Sequence, residues 1–232
     1  MSSNKSAFPN KFQRESLQLV NKLVALSGSA FYLVGTDMRH QGVEVNKIDP
    51  LVERDYFNNF RSLDPLNPSR FEHTGQTVVT IDSQISETKL QQTIYYQDFM
   101  QAHNHRYVAD MFFRSRGRIC AVLTMLRDQD SAPFNETELK LLQDIQPFLE
   151  YALNEVYEPK RSSQRKLFEE KYALTEREID VLELLICGGS NKAIANDLGL
   201  SLSTVKTHLQ HMFQKTEVDS RSELVALALQ HI

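Results

Sequence analysis

The sequence predicts an α+β protein: an N-terminal antiparallel sheet with flanking helices, followed by an all-α unit of four helices. Three observations carry this reading. Residues 8–157 mix strand-like and helical apolar patterns; two strand-like runs flank Arg116-Gly117-Arg118; and from residue 172 to 232 every apolar repeat has a helical period. Between the two parts, residues 158–171 combine Pro159, a serine pair and several basic residues without apolar periodicity, and read as a linker.

In chain order, FQRESLQLVNKLVALSG places Leu17, Val20, Leu23 and Val24, with Phe12, on one helical stripe that stops at Gly28. SAFYLVGTD and TVVTID (77–82) have the β-branched and aromatic content of strands, the first ending in turn chemistry. PLVERDYFNNF suits a helix that ends before Pro65 and Pro68, and KLQQTIYYQDFMQAHN repeats apolar groups at Leu90, Ile94 and Phe99. RYVADMFFRSRGRICAVLTMLRD is an expected antiparallel hairpin. FNETELKLLQDIQPFLEYALNEVY opens on the capping box Asn135 to Glu138 and carries Leu139, Leu142, Ile145, Leu149 and Leu153 on one face, with a kink expected at Pro147.

Composition narrows the function classes. With 41% hydrophobic and 24% charged residues the chain is of ordinary globular type, which excludes collagen-like, disordered and coiled-coil classes. Its 26 Lys and Arg against 30 Asp and Glu give a net charge of −4, so contact with a polyanion is expected to be local. No apolar run approaches the ~18–20 residues of a membrane helix, and the opening MSSNKSAFPNKFQRES lacks a signal-peptide core. A cytoplasmic protein with no membrane contact is expected. Cys120 and Cys187 have no partner pattern, so neither a disulfide framework nor a thiolate metal site is indicated.

The C-terminal stretch from Ala173 carries the most specific signal. Thr175 and Glu178 form a capping box for a helix whose buried stripe is Ile179, Leu182, Leu185 and Ile186, and Gly188-Gly189 ends it. Ser190 can cap a second, short helix, Gly199 permits a tight turn, and Ser201 can cap a third helix. Ala195 is small where two helices must approach, and Val205 wedges the pair. On the third helix Val205, Leu209 and Met212 face inward beside His208, leaving Ser203, Lys206, Thr207, Gln210 and Gln214 outward. Such a row of amide, hydroxyl and ammonium groups can read base edges.

From Leu174 to about Leu229 this segment closely resembles the LuxR-type (GerE-like) helix-turn-helix of bacterial transcription factors. The residues that carry the resemblance are Leu174-Thr175-x-Arg177-Glu178, Ser190-Asn191-Lys192, Ile194-Ala195, Thr204-Val205-Lys206-x-His208 and Ser220-Arg221. The resemblance implies a transcriptional regulator in which Lys206, Thr207 and Gln210 meet bases while Asn191, Lys192, Thr204, Lys215 and Arg221 hold phosphates. It also implies that the fourth helix, SRSELVALALQHI, forms a homodimer on double-stranded DNA with a palindromic operator, half-sites about one DNA turn apart, and contact with RNA polymerase. Thr216 and Glu217 depart from the family's leucine and its following glycine or asparagine. Residues 166–232 hold seven Lys or Arg against ten Asp or Glu, the acids concentrating on the first helix of the unit.

The N-terminal part resembles GAF- or PAS-type sensor domains, through Tyr56-x-x-x-Phe60-x-x-x-Asp64-Pro65, Tyr96-x-Asp98-Phe99 and the Pro133-Phe134-Asn135 start of a helix that ends in Gln146-Pro147-Phe148-Leu149. That resemblance implies a small-molecule effector, with Tyr32, Tyr56, Phe60, Asp64, Tyr96 and Phe99 as lining residues. The Asp64-Pro65 pair is also similar to the acyl-homoserine-lactone receptors of quorum sensing, but those lean on tryptophan and this chain has none. A lactone is therefore disfavoured. His103-Asn104-His105 has no carboxylate or cysteine ligand close in sequence, and for His208 with His211 the family resemblance implies that His208 lies against the helical core, so no metal or other cofactor is expected. No nucleophile elbow or phosphate loop is present, and no enzyme activity is expected. Two readings follow: a regulator whose N-terminal domain senses a small molecule and controls dimerisation or orientation of the heads, or one whose N-terminal domain is only a dimerisation or docking platform.

Overall fold

Arg116 and Gly117 both take positive φ, 52° and 80°, and this two-residue turn matches the right-handed twist of the long strands it joins. In the computed structural model, which describes residues 11–34 and 40–231, those strands are β4 (His105–Ser115) and β5 (Arg118–Asp128), paired antiparallel with Asp110 opposite Thr124. Residues 8–10, the turn expected at Gly35-Thr36-Asp37, and Ile232 lie outside the described residues. The chain forms two compact units, one of Gln13–Tyr151 and one built on Ala152–Ile232.

In the first unit β1 (Gly28–Val34), β2 (His40–Asn46) and β3 (Val78–Thr80) complete, among the described residues, a five-stranded antiparallel sheet ordered β2-β1-β5-β4-β3. One face buries Phe31 stacked on Phe113 at 5.3 Å, with Ala109, Met111, Leu123 and Met125. Helix α1 (Lys11–Leu23) covers it, and the Gln13 side chain donates to the Phe31 carbonyl at 3.4 Å. Helix α5 (Glu136–Ala152) is tied down by Gln146 Nε2, which donates to the Phe112 carbonyl at 2.8 Å. The Asn135–Glu138 capping box of α5 is formed in both directions, and Pro147 lies inside the helix. Buried Arg127 fastens the approach to α5 through the Ala132 and Pro133 carbonyls and Glu138.

On the opposite face Tyr32, Val108, Phe112 and Val122 meet Leu66, Phe71, Leu90, Phe99 and Met100. These come from short helical pieces: α2 (Pro50–Asp55), α3 (Ile81–Gln84), α4 (Glu87–Gln91) and two π turns, Tyr56–Phe60 and Tyr95–Met100. A π turn holds more than 3.6 residues, so it shifts the inward face along the sequence. This corrects two expectations: Ile94 is 59% exposed while Tyr95, Phe99 and Met100 are buried, and the helix expected over 50–60 changes pitch at Tyr56. Leu23 is also on the outside of α1, whose inward positions are Gln13, Ser16, Leu17 and Val20. The strand expected over 77–82 ends at Thr80, whose side chain caps α3. Strand β2 has no counterpart in the sequence expectation.

The second unit has its own core. Helix α6 (Glu158–Tyr172) occupies the segment expected as an irregular linker. It contributes Phe168 to the core and holds α7 (Glu176–Ile186) by ion pairs: Arg161 donates to both Glu183 carboxylate oxygens at 3.0 and 2.8 Å, and Arg165 bridges Glu183 and Asp180 at 2.8 and 2.9 Å. Polar gripping explains why no apolar stripe marks this helix in the sequence. Two of the four acids of α7, Asp180 and Glu183, are thus paired with these arginines. Beyond α7, with its Thr175–Glu178 capping box complete, follow α8 (Asn191–Leu198), α9 (Leu202–Thr216) and α10 (Arg221–Gln230), packed around Ile179, Leu182, Ile194, Val205, Met212 and Leu224.

Candidate functional site

Helices α8 and α9 are joined by a turn built residue by residue. Ser190 Oγ accepts the Ala193 amide at 3.2 Å to start α8, and Gly199 closes it in the left-handed region at φ 61°. The Leu200 amide reaches back to the Ala195 carbonyl at 2.8 Å, and Ser201 Oγ accepts the Thr204 amide at 3.1 Å to start α9. Ala195 and Val205 are both buried where the helices meet. On α9 the row Val205, Leu209, Met212 faces the core, and Ser203, Lys206, Thr207, Gln210 and Gln214 are exposed on the other side. Thr207 returns its hydroxyl to the Ser203 carbonyl at 3.1 Å, so the methyl is the group it presents outward.

The residues expected at phosphates differ in their surroundings. Lys192 is exposed near the start of α8. The Thr204 hydroxyl lies 2.7 Å from that of Ser201. Arg221 donates to Asn191 Oδ1 at 3.1 Å and to the Gly189 carbonyl at 2.5 Å, fixing the start of α8 against α10. Lys215 donates to Glu178 Oε2 at 2.7 Å and to the Ala173 carbonyl at 2.9 Å. Burial alone would raise the Glu178 carboxyl, but the Lys215 ammonium and the Thr175 donors outweigh it and hold the group below the usual carboxylate range. The departures at 216 and 217 find a structural answer: the Thr216 hydroxyl donates to the Met212 carbonyl at 2.7 Å in a buried position, and Glu217 itself takes the left-handed cap at φ 55°.

The first unit has a cavity of about 70 Å³ on the face of the sheet that carries Tyr32, several times the roughly 10–15 Å³ that one water needs. Four of the six expected lining residues reach it: Tyr32, Tyr56, Asp64 and Phe99. Phe60 and Tyr96 do not line it; Phe60 stacks behind Phe99 with ring centroids 5.1 Å apart, and Tyr96 packs on the surrounding core. The π turns bring Tyr56, Tyr95 and Phe99 to the same wall. Asp64 accepts from Tyr56 Oη and from the Leu66 amide, each at 2.7 Å, and from the Tyr95 hydroxyl. Burial raises its carboxyl against these donors.

Sequence reading missed Asp110, Thr124 and Tyr95. Strand alternation puts Val108, Asp110 and Phe112 on the cavity face, so Asp110 is a carboxylate where a hydrocarbon is the rule. Burial pushes the Asp110 carboxyl well up, the Asp64 charge pushes it further, and the Thr124 hydrogen bond opposes both. Its Oδ1 has no hydrogen-bond partner. The detectable signal was a charged residue inside the run VADMFF. Burial, with His103 beside it, lowers His105 on the cavity wall to about 4, which leaves the ring neutral near pH 7.

Residues 172–228 match the family model of bacterial regulatory proteins, luxR family. Over 210 residues the chain is 33% identical to a monoamine regulon transcriptional regulator of Klebsiella aerogenes, spanning 90% of this chain and 87% of that protein. Among solved structures, SdiA of Escherichia coli aligns over 94% of this chain and 88% of its own at 17% identity and a TM-score of 0.45. The third GAF domain of Slr1393 from Synechocystis sp. PCC6803 aligns over 68% and 98% at 17% identity and a TM-score of 0.48.

Proposed function

This chain belongs to the luxR family of bacterial regulatory proteins, and from that premise we propose that it is a cytoplasmic homodimer that binds a two-fold operator and is controlled by a small molecule held in its N-terminal unit. Helix α9 enters the major groove, where Lys206, Thr207 and Gln210 meet base edges. Asn191, Lys192, Thr204, Lys215 and Arg221 face the phosphates, and α10 pairs the heads. The observation that carries the reading is α9 itself: a buried row of Val205, Leu209 and Met212 holds the helix while the row one step round is fully polar and exposed. Thr207 fits this role because its back-bonded hydroxyl leaves a methyl for thymine. The Klebsiella relative is named for a monoamine regulon, and we extend that to this chain as a proposal about the genes it controls. The cavity supports a sensing role over a bare docking platform, since a platform has no use for buried carboxylates around an open space.

The test separates reading from anchoring. Lys206→Ala is expected to cost about 1–3 kcal/mol at one operator position and to relax base choice there, while Lys192→Ala weakens operator and random DNA alike. Binding measured on a set of single-base operator variants checks this. Equal losses on operator and random DNA for both variants would refute the division of roles.

A further inference from the structure

Among the described residues the cavity wall contains three acidic side chains, Glu53, Asp64 and Asp110, and neither Lys nor Arg. Arg70 influences Asp64 through space, but its guanidinium is directed to the Pro65 carbonyl. Apart from Thr124 and His105 the remaining wall is aromatic and aliphatic, with Tyr32, Tyr56, Tyr95 and Phe99 around the carboxylates. Asp64 already accepts from three donors. Asp110 accepts from Thr124 and keeps one fully buried oxygen without a partner, on the face of the sheet that lines the cavity.

We propose that this cavity binds an organic ammonium, a primary amine on a small apolar or aromatic body, with the cationic nitrogen donating to Asp110 and its charge shared with Asp64. The inference rests on the reading of the N-terminal unit as a small-molecule sensor and names the class of its ligand. Three features select the class. An ammonium carries three donors and no acceptor, which suits a chamber with acceptors in excess and one open oxygen. A cation beside the tyrosine and phenylalanine rings gains from their negative faces, most where water is excluded. A carboxylate isolated in apolar surroundings is strongly disfavoured unless a partner of opposite charge arrives. An anionic ligand would add a charge of the same sign to this wall. An N-acyl homoserine lactone or other neutral amide brings a single N–H, together with carbonyl oxygens that ionised acidic side chains repel.

The test uses the full-length chain and calorimetric titration with n-butylammonium, benzylammonium and 2-phenylethylammonium, each against the alcohol of the same carbon skeleton. At least one ammonium is expected to bind at least tenfold more tightly than its alcohol. Asp110→Asn, with an unchanged melting temperature or a higher one, is expected to remove that preference. The inference is overturned if the alcohols bind as tightly as the ammonium ions, or if Asp110→Asn binds them as the parent chain does. N-hexanoyl homoserine lactone serves as the neutral control. If the lactone binds and shifts operator affinity while no ammonium binds, the ligand class is wrong and the sensor reading stands. If none of the probes binds, the class is overturned and the sensor reading loses its support as well.

Discussion

Asp110 occupies a strand position where alternation calls for a hydrocarbon, and the stability of the first unit should register the intrusion. Its carboxyl is raised by burial and by Asp64, lies near Thr124, Tyr32 and Tyr95, and has one oxygen unanswered. A carboxyl whose folded value lies above its unfolded value binds its proton more tightly in the folded state. Relative to an uncharged amide, the parent chain therefore loses nothing below about pH 4, the unfolded aspartate range, and loses stability as pH rises toward the folded value. Asp110→Asn should match the parent chain in acid and exceed it at pH 7 by about 1–2 kcal/mol, a gain of roughly 2–8 °C in melting temperature. Thermal melts across that pH range check it, and a variant less stable at pH 7 than at pH 4 relative to the parent would contradict it. Single residues differ in what they reveal before the chain folds. Asp64 was legible because the Asp-Pro pair stands at the end of a spaced aromatic pattern. Asp110 was not, because its role depends on the face it shares with Val108 and Phe112, and strand register is set by pairing rather than by local composition.

Elements differ in how plainly the chain announces them, and the reason is what holds each in place. Helices α7 and α9 were legible because an apolar stripe and a capping side chain coincide, as at Thr175 with Glu178 and at Ser201. Helix α6 was hidden because its attachment is ionic: Arg161 and Arg165, one turn apart, face Asp180 and Glu183, also one turn apart on α7. Strand β2 and the π turns were hidden for another reason. The former is an outer strand with few large apolar groups, and the latter depend on tertiary packing of Tyr56, Tyr95 and Phe99 about the cavity. If α6 belongs to the head, Arg161→Ala should destabilise the second unit by about 1–3 kcal/mol, since hydrogen bonds between charged groups are lost and Glu183 is left half-buried with one partner fewer. Denaturation of a fragment starting at residue 152 provides the measurement. A change below about 0.5 kcal/mol would return the segment to the status of a passive tether.

At the scale of the whole molecule the passage from a mixed α+β unit to an all-helical unit was visible in the change of apolar period near residue 172, while the number of heads on one operator is a property no single chain displays. Salt dependence can count them. Each phosphate neutralised releases counterions and contributes about 0.9 to the slope of log affinity against log salt. Lys192 is exposed and stands near the N-terminus of α8, so its removal should subtract one phosphate contact per head. Lys192→Ala is therefore expected to flatten the slope by about 1.8 if two heads are engaged and by about 0.9 if one is. Lys215 provides the internal control. Its ammonium is already matched by Glu178 at 2.7 Å, so Lys215→Ala should change the slope less than Lys192→Ala while lowering the stability of the head. That loss should fade as acid protonates Glu178, because a carboxyl held low in the folded state stabilises above its unfolded range and ceases to do so below its folded value. Equal changes of slope for the two lysines would mean that the Glu178 pair opens on DNA, and a change near 0.9 for Lys192→Ala would mean that a single head carries the binding.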